Sequence, residues 1–321
     1  MPDEIVDVAV GVLIRADGCV LLGSRPEGKP WAGWWELPGG KLEPGESVLA
    51  ALTRELHEEL GIDVQSATPW VTYVHEYPTT TVRLHFCKVT DWSAEPQSRE
   101  QQELKWVNPE AALQLPDLLP ATYPPLRWLQ IPTSYLISSA HDQTGLASFI
   151  DKLERALEQG ITLVQWREPH WQANGDVAQL RAAFLDVLSR CHAKNAKLMV
   201  NSVHDQALWS LADGVHFRVA DARQQKQRPD ELTGKWVAVS THNEEELGMA
   251  RAFGADFAVL GPVLPTASHP GSATLGWEMF ERLNQSAGLP VFAIGGQTSQ
   301  MLSQAQSRGA HGVAGIRELI S

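Results

Sequence analysis

The chain reads as an α/β protein of two domains, the second of them a compact (β/α)8 barrel, and three observations carry that reading. Its 321 residues exceed what one hydrophobic core commonly holds, and 43% of them are hydrophobic, enough to bury two. Between residues 40 and 62 a glycine-rich turn runs into a helix with three glutamates on one face. Past residue 131, eight short apolar runs alternate with helical segments, the spacing that parallel βαβ units require. A proline-rich stretch from Leu115-Pro116 to Ile131-Pro132 parts the two patterns and sets domains of 1–130 and 131–321.

In the first domain, Val6 to Ile14 and Val20 to Gly23 are β-rich runs around the turn residues Ala16-Asp17-Gly18, which predicts a hairpin. A loop rich in glycine, proline and tryptophan covers Pro26 to Trp35. In the helix that follows, Leu52, Leu56 and Leu60 form the buried stripe, while Glu55, Glu58 and Glu59, at i, i+3 and i+4, project from the other side. Like charges placed this way repel unless a hard divalent cation lies among them, and magnesium or manganese takes oxygen donors of this kind together with substrate phosphate. Arg54 is the expected internal counter-charge, reaching back to Glu46. Strands at Trp70 to Glu76, Thr81 to Val89 and Leu104 to Val107 follow, with short helices near Asn108-Pro109-Glu110 and Leu126 to Leu129.

The barrel strands are expected at Ser134 to Ser139, Thr162 to Arg167, Lys197 to Asn201, Gly214 to Phe217, Trp236 to Ser240, Phe257 to Gly261, Val291 to Gly295 and Gly312 to Ile316. Polar residues collect at their ends: Gln165 and Arg167, Asn201, Asp221, Ser240 and His242, Thr266 and Ser268. Gly295, Gly296 and Gly315 suit the phosphate site that loops after the seventh and eighth strands build.

Composition narrows the partners. Thirty-eight acidic against 26 basic residues leave a formal charge of −12, which argues against a duplex nucleic-acid surface and favours a phosphate ligand held by a local metal or local basic groups. Cys19, Cys87 and Cys191 are far apart and share no metal-binding spacing, as for thiols of a reduced compartment. The opening Met1-Pro2-Asp3-Glu4-Ile5 has no basic or apolar leader, and no apolar stretch approaches the length of a membrane span. A cytoplasmic protein without a membrane partner is the expectation.

Gly40, Glu46, Arg54-Glu55-Leu56, Glu58-Glu59 and Gly61-Ile62, in that spacing, resemble a complete Nudix box. Within that family the approach Glu36-Leu37-Pro38-Gly39-Gly40-Lys41 and the ending Leu119-Pro120-Ala121-Thr122-Tyr123-Pro124 are most similar to the MutT-type 8-oxo-dGTP diphosphatases. The resemblance implies an α/β/α sandwich and a magnesium or manganese cofactor held by Glu55, Glu58, Glu59, the Gly39 carbonyl and Glu100. It further implies that Lys41 neutralises phosphate charge, and that water cleaves a nucleoside triphosphate into a monophosphate and pyrophosphate, cleansing the nucleotide pool in the service of DNA repair. Thr122 stands where MutT proteins carry an asparagine that binds the oxidised purine, and one hydroxyl cannot reproduce an amide's donor and acceptor. Trp34 either stacks on a base or packs the domain.

In the second half, Val164-Gln165-Trp166-Arg167-Glu168, Ala212-Asp213-Gly214-Val215-His216, Val239-Ser240-Thr241-His242, Leu260-Gly261-Pro262-Val263-Leu264-Pro265-Thr266 and Ala293-Ile294-Gly295-Gly296 resemble the thiamine phosphate synthase and TenI family, whose fold is a TIM barrel. The synthase pattern grips a diphosphate with Gln-x-Arg-x-Lys, takes a magnesium ligand from an Asn-Asp pair and completes the site with Thr-x-Thr-Lys. Here Pro169, Ser202 and His269 replace the first lysine, the aspartate and the later lysine, which leaves Asp221 as the magnesium ligand of that set. His242 matches the histidine taken as the base in TenI proteins, and a plainer reading has it orient a loop. Three readings stay open: a working thiazole phosphate enzyme, a non-catalytic barrel that binds thiazole phosphate and regulates the hydrolase, and a Nudix domain that hydrolyses a thiamine-pathway diphosphate such as hydroxymethylpyrimidine diphosphate.

Overall fold

The computed structural model describes residues 5–266, 271, 273–316 and 319, and the chain divides into two compact units of residues 1–131 and 132–321. In the first unit, strands β1 (Val6–Leu13), β2 (Val20–Ser24), β3 (Trp35–Glu36) and β4 (Gly39–Lys41) lead to helix α1 (Val48–Leu60). Strands β5 (Asp63–Tyr77), β6 (Thr80–Ser93) and β7 (Leu104–Val107) and helices α2 (Pro109–Ala112) and α3 (Tyr123–Trp128) complete it. A four-stranded sheet, ordered β4-β1-β6-β5, lies beside a three-stranded sheet ordered β3-β2-β7. The expected β1–β2 hairpin is reduced to the single antiparallel bridge Ile14↔Val20, because the two strands part into different sheets after the Arg15–Cys19 turn.

Alternation along the strands gives the larger sheet two apolar faces. Ala9, Leu13, Cys87 and Val89 pack against Leu52, Leu56 and Leu60 of α1. On the opposite face Phe86 meets Trp128 of α3, ring centroids 6.4 Å apart, so the sheet is sandwiched between helices. The helix α1 starts at Ser47, whose hydroxyl accepts from the Ala50 amide at 3.3 Å, and stops at Gly61 in the left-handed conformation, φ 71°. A side chain at Gly61 would also collide with the Arg99 guanidinium, 2.7 Å from the position of a Cβ.

The second unit is a closed barrel of eight parallel strands: β8 (Ser134–Ile137), β9 (Leu163–Trp166), β10 (Lys197–Asn201), β11 (Gly214–Phe217), β12 (Trp236–Thr241), β13 (Phe257–Leu260), β14 (Val291–Ile294) and β15 (Gly312–Gly315), with β15 pairing back onto β8. Between them run α4 (Leu146–Glu158), α5 (Pro169–Asn174), α6 (Val177–Ala193), α7 (Gln206–Trp209), α8 (Val219–Gln225), α9 (Glu244–Phe253), α10 (Gly276–Asn284) and α11 (Leu302–Ser307). Outward residues such as Leu136, Val164, Trp166, Val200 and Phe217 join the helices in one apolar shell. Inward residues fill the barrel: Tyr135, Phe257 and Phe292 touch at centroid distances of 5.6, 5.8 and 5.2 Å. Among the described residues no helix is long and apolar enough to cross a membrane.

Candidate functional site

The acidic site of the first unit forms where β4 turns into α1. Arg54 is its hub: Nε and Nη2 donate to the two Glu46 oxygens at 3.1 and 2.9 Å, Nη1 donates to Glu55 at 2.8 Å and Glu58 at 3.4 Å, and Nη2 also reaches the Lys41 carbonyl at 3.1 Å. The guanidinium holds the Glu46 carboxylate below its ordinary pKa, and the carboxylates raise that of Arg54 in return. Glycine makes the close approach of strand and helix feasible. A Cβ at Gly40 would lie 2.0 Å from the Glu55 carboxyl carbon, and one at Gly39 would lie 2.1 Å from the Ala9 carbonyl oxygen.

Glu59 turns inward, where Oε2 accepts from the Gly39 amide at 3.2 Å. Burial raises its pKa to about 7, and the nearby charges of Glu100, Glu55 and Glu36 push the same way against that hydrogen bond. Glu100 arrives from a loop pinned to the end of α1, since the Arg99 amide bonds the Glu59 carbonyl at 3.0 Å and the Arg99 side chain bonds the His57 carbonyl at 3.0 Å. Lys29 partners Glu100 at 2.9 Å, and Arg25 partners Glu36 at 2.9 Å.

A divalent cation is the group that the resemblance implies here. The donors are carboxylate oxygens, and the charge of one of them is disfavoured by burial and by its acidic neighbours, which fits a hard ion. The predicted acidic face is nonetheless divided. Glu55 and Glu59 face β4, whereas Glu58 is exposed and held by Arg54. Among the described residues no three His, Cys, Asp or Glu side chains gather as an ion-holding group, so Arg54 would have to release Glu55 and Glu58 for them to converge. It is the Gly39 amide, not its carbonyl, that is engaged with a glutamate. Lys41 is exposed and contributes its carbonyl to Arg54.

Two predicted base-side residues lie in separate segments. Trp34 sits before β3 with its ring edge-on to Trp31 at 4.6 Å. Thr122 is buried, 4% exposed, in the turn that opens α3. That segment is tied to β3 by Trp35 N–H to the Asp117 carbonyl at 2.8 Å and Leu119 N–H to the Trp35 carbonyl at 3.0 Å. Tyr77, half-buried near Ala121 and Glu36, and the Arg25–Glu36 pair belong to the same neighbourhood and were not singled out from sequence. The arginine beside a glutamate eleven residues on gave no local signal, because a loop rather than a helix brings them together.

At the strand ends of the barrel, a directed chain of hydrogen bonds crosses the interior. Asn201 Nδ2 donates to Gln165 Oε1 at 2.8 Å, and Gln165 Nε2 lies 3.1 Å from both the Tyr135 hydroxyl and His216 Nδ1. His216 Nε2 lies 2.8 Å from Ser240 Oγ. With Nδ1 accepting, the imidazole is the neutral tautomer that donates from Nε2, and burial, followed by the charge of Arg167, lowers its pKa to about 3. Gln165 thus has its amide nitrogen and its carbonyl oxygen engaged inside the protein. Tyr135 and His216 were missed, although each falls on the inward set of its strand.

Asp221, the expected magnesium ligand, is bound instead by Arg218, Nε to Oδ2 at 2.7 Å and Nη2 to Oδ1 at 2.9 Å, and by the Ser202 hydroxyl at 2.6 Å. The residues present do not fit a metal there. His242 is 57% exposed in its side chain and pairs with Glu246 through Nδ1 at 2.9 Å, the loop-orienting arrangement. Gly295 and Gly296 have φ 95° and 62°, and a Cβ on either would strike the Pro262–Pro265 segment. Gln297 Nε2 donates to the Gly295 carbonyl at 2.8 Å, and Gly315 borders the same loop. Thr266 is half-buried, and Ser268 and His269 lie outside the described residues.

Residues 6–129 match the family described as NUDIX domain, and residues 134–319 the family described as Thiamine monophosphate synthase. A thiamine-phosphate synthase of Synechococcus sp. is 32% identical over 186 residues, 58% of this chain and 52% of that protein. A CTP pyrophosphohydrolase of Escherichia coli is 43% identical over 115 residues, 36% of this chain and 84% of that protein. An 8-oxo-dGTP diphosphatase of Haemophilus influenzae is 40% identical over 111 residues, 35% of this chain and 82% of that protein. The chain therefore spans about half the length of that synthase, 52%, and most of the length of both hydrolases.

Proposed function

We propose, from the premise that the chain belongs to the NUDIX-domain family through its first unit and to the thiamine monophosphate synthase family through its second, that it is a nucleoside triphosphate pyrophosphohydrolase carrying a phosphate-binding barrel. The reaction consumes one water: its oxygen bonds to phosphorus, the phosphoanhydride between the α and β phosphates breaks, and a monophosphate and pyrophosphate leave. The observation that carries this reading is the union of the Arg54–Glu46–Glu55 cluster with Glu59 on the Gly39 amide, at one junction of strand and helix.

Each residue has work that follows from its surroundings. Arg54 fixes Glu46 and Glu55 against the strand. Gly39 aims Glu59, and burial together with the neighbouring carboxylates disfavours its lone negative charge, which a bound cation would offset. Lys41, exposed beside them, meets the phosphate charge. Magnesium or manganese, when bound by Glu55, Glu58, Glu59 and Glu100, supplies water activation and charge neutralisation.

8-oxo-dGTP is the substrate proposed, with nucleotide-pool sanitation in the cytoplasm as the role. CTP is the second reading, favoured by Thr122 in the place of an amide and by the hydrolase that is 43% identical. The test is to incubate the full chain with magnesium and 8-oxo-dGTP, dGTP, CTP or hydroxymethylpyrimidine diphosphate, and to measure pyrophosphate and phosphate separately. The proposal expects pyrophosphate, released fastest from 8-oxo-dGTP. Equal rates on dGTP overturn sanitation, and release of phosphate alone overturns the reaction class. For the barrel, a thiamine-pathway phosphate is the ligand proposed, bound at the Gly295-Gly296 loop.

A further inference from the structure

The loop between β2 and β3 lies over solvent with little to hold it. Every residue from Glu27 to Gly33 is exposed, and Gly28 and Gly33 turn through left-handed conformations, φ 85° and 82°, with open space around them. Its backbone bonds are local: Lys29 N–H to the Pro26 carbonyl at 3.4 Å, Trp34 N–H to the Trp31 carbonyl at 3.0 Å, and two bonds of 2.9 Å that join Arg25 to Gly33 and Trp34. Trp31 and Trp34 pack on each other. Among the described residues, one side-chain bond leaves residues 26–34, and it is the ion pair of Lys29 Nζ with Glu100 Oε2 at 2.9 Å.

The partner is fixed where the loop is free. Glu100 follows Arg99, whose amide and side chain hold the Glu59 and His57 carbonyls, and its own amide donates to Gln102 Oε1 at 2.9 Å. Gln102 Oε1 also takes the Ser98 hydroxyl at 3.0 Å. When the ion pair parts, the loop is the side that moves, and the carboxylate stays at the end of α1. Lys29 is moreover set among carboxylates that a divalent ion would use. The hydrogen bond to Glu100 raises its pKa, and the charges of Glu100, Glu59 and Glu36 add to that against burial. A divalent ion draws the same oxygens with twice the charge and repels the ammonium, while a pair half exposed to water is weakly held.

We propose that Lys29 is a tether which the divalent ion releases: the ion takes Glu100, Lys29 lets go, and the loop from Pro26 to Trp34 is freed to meet the nucleotide. Ion binding and loop release are then linked, and whatever frees the loop beforehand tightens the ion. The inference rests on the reading of Glu100 as a metal ligand of the hydrolase.

The test is calorimetric titration of the full chain with manganese alone, paired with hydrogen exchange read by mass spectrometry over residues 26–34. Lys29→Met should bind the ion up to about fivefold more tightly than the parent, because no exposed pair has to break. Lys29→Arg, which can keep the pair, should bind as the parent does. So should Lys105→Met, which removes the same charge from an exposed position on β7. In the parent, manganese should speed exchange over residues 26–34; in Lys29→Met, exchange should be fast from the start and indifferent to the ion. Parent affinity in Lys29→Met, an equal gain in Lys105→Met, or parent exchange that manganese leaves unchanged or slows overturns the tether. If manganese binds neither the parent nor the variants, the metal site of the hydrolase fails and the tether with it. If Glu59→Gln weakens the ion while Lys29→Met changes nothing, the metal site stands and the tether alone fails.

Discussion

Both halves of the chain set an arginine against carboxylates, and they do so to opposite ends. In the first unit Arg54 is shared among Glu46, Glu55 and Glu58, while Glu59 is left beside Glu100 and Glu36 with its proton affinity raised. In the second, Arg218 meets a single aspartate in bidentate fashion and Arg167 carries no ion pair among the described residues. An unfilled carboxylate calls for a cation and an unfilled guanidinium for an anion. What remains after the internal pairs are made decides the ligand, not the presence of the pairs.

The comparison breaks first at Glu59. Glu59→Gln keeps the shape and removes the charge, and pyrophosphate release should fall by about a thousandfold, with barrel binding untouched. A loss below tenfold would remove Glu59 from the reaction. Next comes Gly40→Ala, whose methyl group would displace the Glu55 carboxyl from the strand. Such a misplacement should cost about a hundredfold in turnover, measured beside a thermal melt to confirm that the unit stays folded. Unchanged turnover would mean that Glu55 does not act from that position.

Acid should separate the two units through the barrel's buried histidines. His216 and His204 are lowered to about 3 and about 4, mainly by burial, so in the fold they stay neutral where an unfolded histidine, near 6.5, takes a proton. The unfolded state then binds more protons, and barrel stability is complete above 6.5 and falls as pH drops toward those values, by at most about 1.4 kcal/mol per pH unit for each histidine. Denaturant midpoints recorded from neutral pH downward test this, and His216→Gln should flatten the slope. A parent barrel with a level acid limb contradicts the neutral-histidine chain. The smallest effect belongs to His242→Ala: an exposed pair with Glu246 is worth about 1 kcal/mol or less, and thiazole phosphate binding should be unaltered.

The architecture was largely legible because burial imprints itself on short runs. β10 and β11 fall on the runs read from sequence, Lys197–Asn201 and Gly214–Phe217, since both are buried on both faces and bounded by polar turns. The Glu46–Arg54 pair was legible because a turn and a helix fix its spacing. Ala16-Asp17-Gly18 misled as a hairpin signal, for a turn reports chain reversal and says nothing of which sheet the next strand joins. Tyr135 and His216 were hidden inside apolar runs whose inner and outer residues look alike until the barrel closes. Arg218 and Asp221 stand at i and i+3, a spacing that sequence does offer, but the role of the pair depends on Ser202, which arrives from another strand end.

Anomalous scattering from manganese-soaked crystals tests the central claim most directly, because one map reads both sites at once. The account predicts density beside Glu55 and Glu59 and none beside Asp221. A peak at Asp221, or an empty map around the two glutamates, would contradict it.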